Sequence, residues 1–588
     1  MFMFGKFGKN VIKLPNIFLP IIHEFPIILV FYILIRYSIY EVWNREANEI
    51  ISSIAVWVFY PYFIAATIFL SKKSWLRWFW YVFLFSIFGF SIFLYNNFNM
   101  FVDPTVFRLI GETNLSESEG FLREYLFSRN SMMTFLKLLF YVVIAICIEL
   151  AYRRYILKNI KVNRINPLVF VLFSICLCYG AYSCKAYVDY IKLLVNRDTV
   201  DYDHGYYPAL DWYSRFLYSP CIVFASNGDF KKAIRTSLAV DNVSTFIDKN
   251  DSLNIVFVIG ESYIKSHAHF YGDSLNTTPI LSKERKNGNL YVFNDAVSPF
   301  NYTSTALRNM LSCNSIGNSE KWYDYPYFPL LFKKAGYDVY FWDNQHEWGV
   351  GEVCVFSLNQ YLHDECLSKE TYTKTNATSF EFDGQLVEDF KKKVVLSRPN
   401  NFIMFHLLGQ HFKADMRFPH TKEFIHFTTD SIKRNETWLN KEKLQLIADY
   451  ENATYYNDFV LGQILNVFRD KNAVLIYVSD HGEEVYDYRD HLGRTYGKID
   501  KLQLTYQYDI PFVIWCSDKF KQKYHDVVTA INESTNKPFM SDNMCHLFFH
   551  LGAIQTAFYH EDRDLLSPKY KCEKRLISES EIEYNSIN

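Results

Sequence analysis

The sequence lacks an excess of charge of either sign. Its 588 residues include 61 lysines and arginines against 63 aspartates and glutamates, which gives a formal net charge of −2 at pH 7. Proteins that bind nucleic acids usually show a clear basic excess, so nothing in this composition indicates that class. The chain is also too long for one compact core, and we expect two or more folded units.

The sequence also lacks any CxxC pair among its eleven cysteines. We interpret most of these cysteines as small buried hydrophobic side chains, because free cysteine usually packs in that way. Cys354 and Cys366 lie close together in a part of the chain that the topology below places outside the cytoplasm. The sequence leaves open whether these two form a disulfide.

What the sequence does have is an aromatic content of 18% and long apolar runs in its first third. Five apolar stretches precede residue 190, at 25–40, 51–70, 78–95, 135–151 and 167–188. Each is close to the length of about 20 residues with which a helix crosses a hydrocarbon core. The first stretch is not interpreted as a cleavable signal peptide, because further spans follow it and no small-residue cleavage pattern is present. The sequence therefore predicts a five-span transmembrane domain over residues 1–189.

Three clusters of basic residues predict the orientation of these spans. One cluster precedes the first span, one lies between spans two and three, and one lies between spans four and five. Their members are Lys6, Lys9 and Lys13; Lys72, Lys73 and Arg77; and Arg153, Arg154, Lys158, Lys161 and Arg164. All three clusters fall on one side, which the positive-inside rule makes cytoplasmic. The loop 96–132 and everything after the fifth span are then predicted to lie outside the cytoplasm.

The remainder of the chain divides into a linker and a soluble domain. Residues 190–249 are polar, aromatic and mixed, and we predict a linker with short helices along the membrane surface. From residue 250 to 588, short runs of β-branched and aromatic residues alternate with helical segments, which predicts an α/β domain with a largely parallel central sheet flanked by helices. One long helix is predicted over 441–468, with Asn452, Tyr456 and Asp458 on its solvent face or at a cap.

Four of the predicted buried strands are followed by polar side chains. The residues after these strands are Gly260-Glu261-Ser262, Asp343-Asn344-Gln345, Gly409-Gln410-His411 and Ser479-Asp480-His481-Gly482. Open α/β sheets bind their ligands at the carboxyl ends of the strands. One polar turn after a strand is normal, but four together indicate a site. Its carboxylates and imidazoles, with His491 nearby in the sequence, suit Zn²⁺ or Mn²⁺ better than a metal that prefers thiolates.

Three adjacent hydroxyl residues, Thr303, Ser304 and Thr305, follow a further predicted strand at residues 290–293. Any one of them would serve as the N-cap of a helix. A hydroxyl at a helix N-terminus beside a divalent cation is also a good nucleophile, because the cation lowers its pKa and the helix dipole favours an anionic phosphorus ester. The residues alone leave both interpretations open.

The order of these motifs resembles that of the membrane phosphoethanolamine transferases, a branch of the alkaline-phosphatase and sulfatase superfamily. The motifs are Gly260-Glu261-Ser262, Thr277-Thr278-Pro279, Thr303-Ser304-Thr305-Ala306, Asp343-Asn344-Gln345, Gly409-Gln410-His411 and Ser479-Asp480-His481-Gly482-Glu483. The segment Glu112-Thr113-Asn114 in the outer loop also resembles a family segment that helps to hold the lipid donor. The resemblance covers nearly the whole chain, including the five predicted spans.

The resemblance implies a catalytic centre for a transferase of substituted phosphate groups. Glu261, Asp480 and His481 would bind a catalytic Zn²⁺, and Thr305 would be both the fourth ligand and the nucleophile. Thr305 would take phosphoethanolamine from phosphatidylethanolamine and release diacylglycerol. The phospho-threonine intermediate would then be attacked by lipid A or the lipopolysaccharide core, following the two-step logic of covalent catalysis. The enzyme would be a multi-pass protein of the bacterial inner membrane, with its catalytic domain in the periplasm.

The resemblance also implies the residues that bind the substrates. Glu112 and Asn344 would help to recognise the donor lipid. His411 and His491 match family histidines that contact the phosphoryl group or a second metal ion. A second Zn²⁺ is therefore possible, and Mn²⁺ is the alternative metal.

The sequence departs from the family pattern near the predicted nucleophile. Many members carry a cysteine just before the hydroxyl cluster, in a disulfide that braces the nucleophile loop. This chain has Asn301 and Tyr302 there, and Cys313 has no evident partner in the sequence. The expected brace is therefore missing.

Three alternative functions were weighed against the resemblance. A sulfatase needs a Cys or Ser followed by x-Pro-x-Arg for conversion to formylglycine; this motif is absent around Thr305, and threonine cannot be converted. A glycerol-phosphate transferase of the lipoteichoic-acid-synthase type would share the spans, the threonine and the metal site, commonly with Mn²⁺. A catalytically inactive membrane scaffold is disfavoured because all four core ligands are present.

Overall fold

The computed structural model describes residues 18–39, 60–98, 102, 106–107, 110, 125–126, 129–157, 167–176, 212–346, 358–396, 400–495, 500–572, 574–577 and 582–587. The chain divides into two compact units, and the boundary in the main chain falls between residues 225 and 226. Each unit is described separately below.

The first unit is helical over its described residues. Its helices are Leu19–His23, Phe25–Ile39, Tyr60–Ser71, Ser74–Phe98 and Arg129–Tyr155, with a further apolar helix at Pro167–Cys176. Two segments in the described part of the chain, Ser74–Asn97 and Ser131–Tyr155, are long and apolar enough to cross a membrane. They contain the predicted spans 78–95 and 135–151. The other three predicted spans extend beyond the described residues, so the count of five stays a prediction.

Buried charges connect the helices of this first unit. The carboxylate of Glu24 accepts hydrogen bonds from Arg77 at 2.7 and 2.9 Å and from Arg153 at 2.8 Å. Glu149 forms ion pairs with the same two arginines and accepts a hydrogen bond from the Tyr81 hydroxyl at 3.0 Å. Two buried carboxylates thus meet two guanidinium groups, which is the arrangement that a buried ion-pair network requires.

A helix at Trp212–Leu238 spans the boundary between the two units. The sequence predicted a linker with short helices over 190–249, and the structure has one 27-residue helix in the described part of that segment. Beyond residue 225 the helix buries Phe230, Ala233 and Ile234 in the core of the second unit. These residues recur at the spacing of one helix face, which explains why the helix continues.

The second unit is built around a seven-stranded sheet. Its strands are β1 (Asn254–Gly260), β2 (Leu290–Phe293), β3 (Asp338–Asp343), β4 (Lys374–Thr375), β5 (Asn401–His406), β6 (Ala473–Ser479) and β7 (Phe512–Cys516). The spatial order is β2-β7-β6-β1-β5-β3-β4. Strand β1 pairs in parallel with β5 and β6, and β3 pairs in parallel with β4 and β5. Of these seven strands, β7 alone runs in the opposite direction and pairs antiparallel with β2 and β6, so the predicted largely parallel sheet is confirmed.

Both faces of the sheet are covered, which is why its strands read as continuous apolar runs. In β1, Ile255, Phe257 and Ile259 join one core cluster, whereas Val256 and Val258 join the other. The first face packs against Thr303–Met310, Phe328–Lys334 and Met544–Leu551; the second packs against Pro279–Lys286, Asp383–Lys393 and Lys441–Phe468. The remaining helices of this unit include Leu358–Leu362, Glu365–Thr371, Asp518–Lys523 and His525–Ser534. The unit is therefore a three-layer α/β/α domain.

The predicted long helix is confirmed as Lys441–Phe468, but its polar residues were misjudged. Asn452, Tyr456 and Asp458 are buried, not on a solvent face or at a cap of this helix. Asp458 accepts hydrogen bonds from the backbone N–H groups of Ile280 and Leu281 at 2.7 and 2.9 Å. It satisfies the free donors at the start of the helix Pro279–Lys286, whose own N-cap makes no side-chain hydrogen bond.

Candidate metal centre and active site

The sheet register brings two carboxylates together at its carboxyl edge. Gly260 of β1 is paired with Ser479 of β6. The residues that follow, Glu261 and Asp480, therefore leave neighbouring strands at the same level. The Asp480 N–H donates to the Gly260 carbonyl at 3.1 Å, and the Ser262 N–H donates to Asp480 Oδ1 at 3.1 Å. These contacts hold the two strand ends together and fix the direction of the Asp480 carboxylate.

Glu261, Asp480 and His481 form a cluster that could hold a metal ion. One ligand atom from each lies within 4.8 Å of the others, and all three side chains are fully buried. His481 Nε2 is 3.4 Å from Glu261 Oε1 and 3.1 Å from Asp480 Oδ2. The structure thus brings together the three predicted metal ligands that lie at strand ends.

The imidazole of His481 is oriented as a metal ligand. Its Nδ1 lies 2.8 Å from the Gly482 carbonyl oxygen, which can only accept a hydrogen bond. Nδ1 therefore carries the proton, and Nε2 presents a lone pair to the cluster. Burial and the Arg494 guanidinium lower the pKa of His481 to about 3, so the ring is neutral at pH 7. A backbone carbonyl that fixes the tautomer in this way is the usual partner of a ligating histidine.

The free atoms of the cluster test whether a cation fits. Asp480 Oδ2 is buried and has no hydrogen-bond partner among the described residues. It lies 3.1 Å from His481 Nε2, whose lone pair faces Arg494 Nη1 at 2.8 Å, so Oδ2 itself receives no donor and has its lone pairs available for a cation. Carboxylate and imidazole donors together suit Zn²⁺. The residues present therefore fit a zinc ion.

The pKa values of the two buried carboxylates are shifted in opposite directions. Burial alone would raise the pKa of Glu261, but His481, His411 and Arg494 outweigh it and hold the pKa below its ordinary value. Burial and the negative charge of Glu261 raise the pKa of Asp480 well above its ordinary value. Two carboxylates this close do not both ionise readily without a cation. A bound metal ion would supply that positive charge.

The backbone around Glu261 adopts conformations that side chains rarely tolerate. Ser262, the next residue, has a φ of +53°. Gly409 has a φ of +51°, and a Cβ placed on it would lie 2.8 and 2.9 Å from backbone atoms of Glu261. A glycine is therefore required at 409, both for the left-handed backbone and for the close approach. Left-handed residues of this kind concentrate at functional sites.

The hydroxyl cluster differs from the sequence expectation. Thr303 Oγ1 lies 3.1 and 3.2 Å from the two carboxylate oxygens of Glu261 and 3.2 Å from His481 Nε2. Thr305, the expected fourth ligand, makes none of these contacts. Its Oγ1 is buried and has no hydrogen-bond partner among the described residues. Positions 303 and 305 are about 200° apart on a helix, so their side chains point to different sides of the first turn of Thr303–Met310.

Asn344, the predicted donor-binding residue, uses its side-chain amide in hydrogen bonds within the fold. Its Nδ2 donates to Asp383 Oδ1 at 2.9 Å, and its Oδ1 accepts from the Phe380 N–H at 2.6 Å. The next residue, Gln345, reaches the metal centre instead. Gln345 Nε2 donates to Glu261 Oε2 at 3.0 Å and to the Leu407 carbonyl at 2.8 Å.

The other predicted substrate-binding residues have different positions. His411 lines a cavity of about 370 Å³ together with Asn344 and Gln345, and it is near enough to Glu261 to lower the pKa of that carboxyl. His491 makes no ring hydrogen bond to the three ligands within the described ranges; its Nε2 is buried and unpaired. Burial and the Arg489 guanidinium lower the pKa of His491 to about 4. Glu112 lies outside the described residues.

Comparison with known proteins identifies the family of this chain. A family model described as Sulfatase matches residues 253–549, half of the chain. The chain belongs to the sulfatase family. The matched region begins just before β1 and ends inside the helix Met544–Leu551, so it includes all three predicted metal ligands and the hydroxyl cluster. The recognition of the alkaline-phosphatase and sulfatase superfamily from the sequence motifs is confirmed.

Curated relatives of this sulfatase-family chain are named phosphoethanolamine transferases. The phosphoethanolamine transferase EptC of Escherichia coli O18:K1:H7 (strain RS218 / NMEC) is 27% identical over 351 residues, which are 59% of this chain and 59% of the relative. The comparison therefore covers little more than half the length of that relative.

Two solved structures are similar in fold. The C-terminal periplasmic domain of EcEptC from Escherichia coli, in complex with Zn, has 26% identity and a TM-score of 0.50, and covers 59% of this chain and 96% of the solved one. The integral membrane lipooligosaccharide phosphoethanolamine transferase A from Neisseria meningitidis covers 94% of this chain and 97% of its own, with 16% identity and a TM-score of 0.55. At that identity the second similarity shows the fold alone.

Sequence reasoning missed three side chains of this sulfatase-family centre. Thr303 lies two residues before Thr305, and Gln345 directly follows Asn344, so both belong to motifs that the sequence had singled out. Arg494 lies 13 residues after His481, and its Nη1 is 2.8 Å from His481 Nε2. No motif marked Arg494, because its approach depends on the path of the loop that follows β6.

Proposed function

We propose that this protein transfers phosphoethanolamine from phosphatidylethanolamine to lipid A or the lipopolysaccharide core. The transfer uses a covalent phospho-threonine at a zinc centre, on the periplasmic side of the bacterial inner membrane. The observation that carries this proposal is the buried cluster of Glu261, Asp480 and His481 with a hydroxyl-bearing helix N-terminus beside it. The names of the curated relatives agree with the same reaction.

Zinc would be held by Glu261, Asp480 and His481. When bound, it would supply a positive charge that lowers the pKa of a ligating hydroxyl and stabilises negative charge on the phosphoryl group. Three protein ligands with a further position for a hydroxyl or substrate is the usual composition of a catalytic zinc site. The zinc complex of the EcEptC periplasmic domain supports the choice of metal.

Thr305 is the proposed nucleophile. Its Oγ1 is buried without a hydrogen bond, so its lone pairs are available. Thr305 Oγ attacks the phosphorus of phosphatidylethanolamine; the bond to the glycerol oxygen breaks, and the hydroxyl proton ends on the released diacylglycerol. An oxygen of the acceptor then attacks the phospho-threonine and restores the hydroxyl. Thr303, whose Oγ1 contacts Glu261 and His481, holds the ligand cluster in position.

The cavity beside the centre has the charges that a phosphoethanolamine head group needs. His411 and Arg417 line it together with the acidic side chains of Glu381 and Asp415. Cationic groups suit a phosphate and carboxylates suit the ethanolammonium group. With a volume of about 370 Å³ the cavity admits a head group of this size.

Mass spectrometry of glycolipids tests the proposal. Cells that express the wild-type protein should gain a mass increment of one phosphoethanolamine group on lipid A or core. Thr305→Ala should abolish the increment, because the covalent step requires its oxygen. Thr303→Ala should retain a reduced increment. Thr529→Ala, which removes an exposed hydroxyl from another helix, is the matched control and should behave as wild type.

The alternatives have distinct outcomes. A normal increment with Thr305→Ala and none with Thr303→Ala would move the nucleophile to Thr303. A glycerol-phosphate increment would establish the lipoteichoic-acid-synthase type of reaction instead. No change in any glycolipid would overturn the proposed acceptor.

A further inference from the structure

Two buried cysteines of the α/β unit lie against each other. Cys313 follows the helix Thr303–Met310 and is 2% exposed, and Cys545 is the second residue of Met544–Leu551 and is fully buried. Both are free thiols, and they lie close enough for each to shift the pKa of the other. The partner that Cys313 lacked in the sequence is therefore supplied from a distant part of the chain.

The backbone around the two thiols is held together independently of them. Ser315 Oγ donates to Asn543 Oδ1 at 2.7 Å. The Ile316 N–H donates to Asp542 Oδ2 at 2.6 Å. These four residues are buried or partly buried, so the hydrogen bonds are shielded from water. These hydrogen bonds thus hold the segments 313–316 and 542–545 side by side and keep the two thiols near each other.

We propose that Cys313 and Cys545 form a disulfide that joins the end of the hydroxyl-bearing helix to the helix Met544–Leu551. This inference rests on the extracytoplasmic location in the proposed function, because structural disulfides persist in oxidising compartments. The two thiols lose two protons and two electrons. The oxidant is a disulfide of a periplasmic thiol–disulfide oxidoreductase, which is reduced to a dithiol.

The chemistry of the pair favours this reaction. Burial alone raises the pKa of Cys545, but the Cys313 thiol and the His546 ring outweigh it and lower the pKa to about 5. One of the two cysteines attacks the oxidant disulfide as a thiolate, and the other resolves the mixed disulfide. Because both side chains are buried in the folded unit, the exchange takes place while the chain folds.

The crosslink would stiffen the nucleophile segment from its far end. Thr305 lies in the first turn of the helix Thr303–Met310, and Cys313 lies just beyond its last turn. A covalent bond at Cys313 limits how far this helix can shift relative to the sheet. It would thereby replace a brace before the hydroxyl cluster, where this chain has Asn301 and Tyr302.

Peptide mapping tests the disulfide directly. Full-length protein, purified without reductant after export in its host, is denatured in N-ethylmaleimide and digested. A linked peptide pair containing Cys313 and Cys545 is expected, and both residues should react only after reduction. Cys516 is the matched control, since it is equally buried but has no cysteine partner among the described residues. It should be labelled without reduction. Equal labelling of all three cysteines would overturn the proposal.

Variants test the consequence without relying on activity. Cys313→Ser, Cys545→Ser and the double variant should lower the melting temperature by the same amount, because each removes the same bond. Dithiothreitol should lower the melting temperature of wild type and leave that of the double variant unchanged. Additive losses in the two single variants would contradict a shared bond. The mapping is repeated on Thr305→Ala protein, which should show the same crosslink. If wild-type protein carries the crosslink but the glycolipids of the wild-type cells are unmodified, the proposed function is rejected and the disulfide is retained.

Discussion

Two clusters of buried carboxylates, one in each unit, differ in how their charge is balanced. In the helical unit, Glu24 and Glu149 are matched by Arg77 and Arg153. In the α/β unit, Glu261 and Asp480 are just as buried, but nearby cationic groups, including Arg494, lower the pKa of Glu261 only, and the pKa of Asp480 is raised well above its ordinary value. Burial of an unbalanced carboxylate costs stability. The imbalance supports the second cluster as the proposed cation site, whereas the first cluster is a structural joint.

The largest expected effect is loss of metal and activity when the second cluster loses a ligand. Asp480→Asn keeps the shape of the side chain but removes its charge. We expect the zinc content of purified protein to fall to near zero and transfer to fall at least ~1,000-fold, since a catalytic metal supplies several kcal/mol of transition-state stabilisation. Metal analysis and a lipid transfer assay measure both. Glu24→Gln is the control and should retain its zinc, whereas zinc in Asp480→Asn at the wild-type level would refute the assignment of this ligand.

The next effect is on the stability of the helical unit. Arg77→Ala leaves Glu24 and Glu149 with one guanidinium between them, and removing one partner of a buried ion pair costs about 3–5 kcal/mol. Thermal unfolding in detergent should show a clear decrease in melting temperature. Lys569→Ala, which breaks an exposed pair with Glu561, should change stability by less than about 1 kcal/mol. Equal shifts for the two variants would mean that the buried cluster is not a structural joint.

A third buried cluster, also in the α/β unit, places one imidazole between two carboxylates. His267 Nδ1 is 2.6 Å from Glu451 Oε1, and its Nε2 is 2.7 Å from Asp487 Oδ1. Burial alone would lower the pKa of His267, but Glu451 and Asp487 raise it well above its ordinary value. Asp487 also accepts from the Val485 N–H at 2.7 Å, so His267 anchors the loop that follows the metal ligands of β6.

The stability that this histidine confers should depend on pH. A raised folded-state pKa contributes its full stabilisation below the unfolded value of about 6.5, and the contribution is lost as the pH rises through the folded-state pKa. His267→Gln should therefore be less stable than wild type by about 2–3 kcal/mol at pH 6, and the difference should shrink at alkaline pH. Denaturant unfolding at several pH values measures this difference. A constant difference across the range would show that the imidazole is not charged.

The smallest effect is also the one with the opposite sign. Without metal, Asp480→Asn should raise the stability of the protein by about 1–2 kcal/mol, because a neutral amide replaces a carboxyl whose ionised form is disfavoured by burial and by Glu261. The asparagine oxygen can still accept from the N–H groups of Ser262 and His481. Glu24→Gln should lower stability, because it leaves an arginine without its partner. Unfolding curves of the two variants and wild type, recorded in chelator, measure these changes in stability. A loss of stability in both variants would show that the two clusters do not differ in charge balance.

The location of the catalytic centre followed from the sequence, whereas its exact membership did not. Each strand of a parallel sheet delivers its next residues to the same edge, so Glu261, Asp480 and His481 could be identified from the strand pattern. Thr303 and Gln345 could not be separated from Thr305 and Asn344. A shift of one or two residues in a turn reverses the direction of a side chain, and no periodicity extends through a turn.

Contacts between distant segments were also beyond the sequence. Nothing in its spacing connects Cys313 with Cys545, or Asp458 with the start of the helix Pro279–Lys286. The long helix Lys441–Phe468 was predicted with its correct bounds, but its polar residues were assigned to solvent. They are buried because neighbouring segments cover that side and offer backbone N–H groups as partners. Polarity alone does not reveal such a partner.

We propose that the buried cluster of Glu261, Asp480 and His481 serves a threonine that carries the transferred group. The most direct test incubates purified zinc-loaded protein with phosphatidylethanolamine and no acceptor, followed by digestion and fragmentation of the peptide that contains residues 303–305. We expect one phosphoethanolamine group on Thr305, with release of one diacylglycerol per modified chain. Release of diacylglycerol without any modification of this peptide, or modification of Thr303 instead, would contradict it.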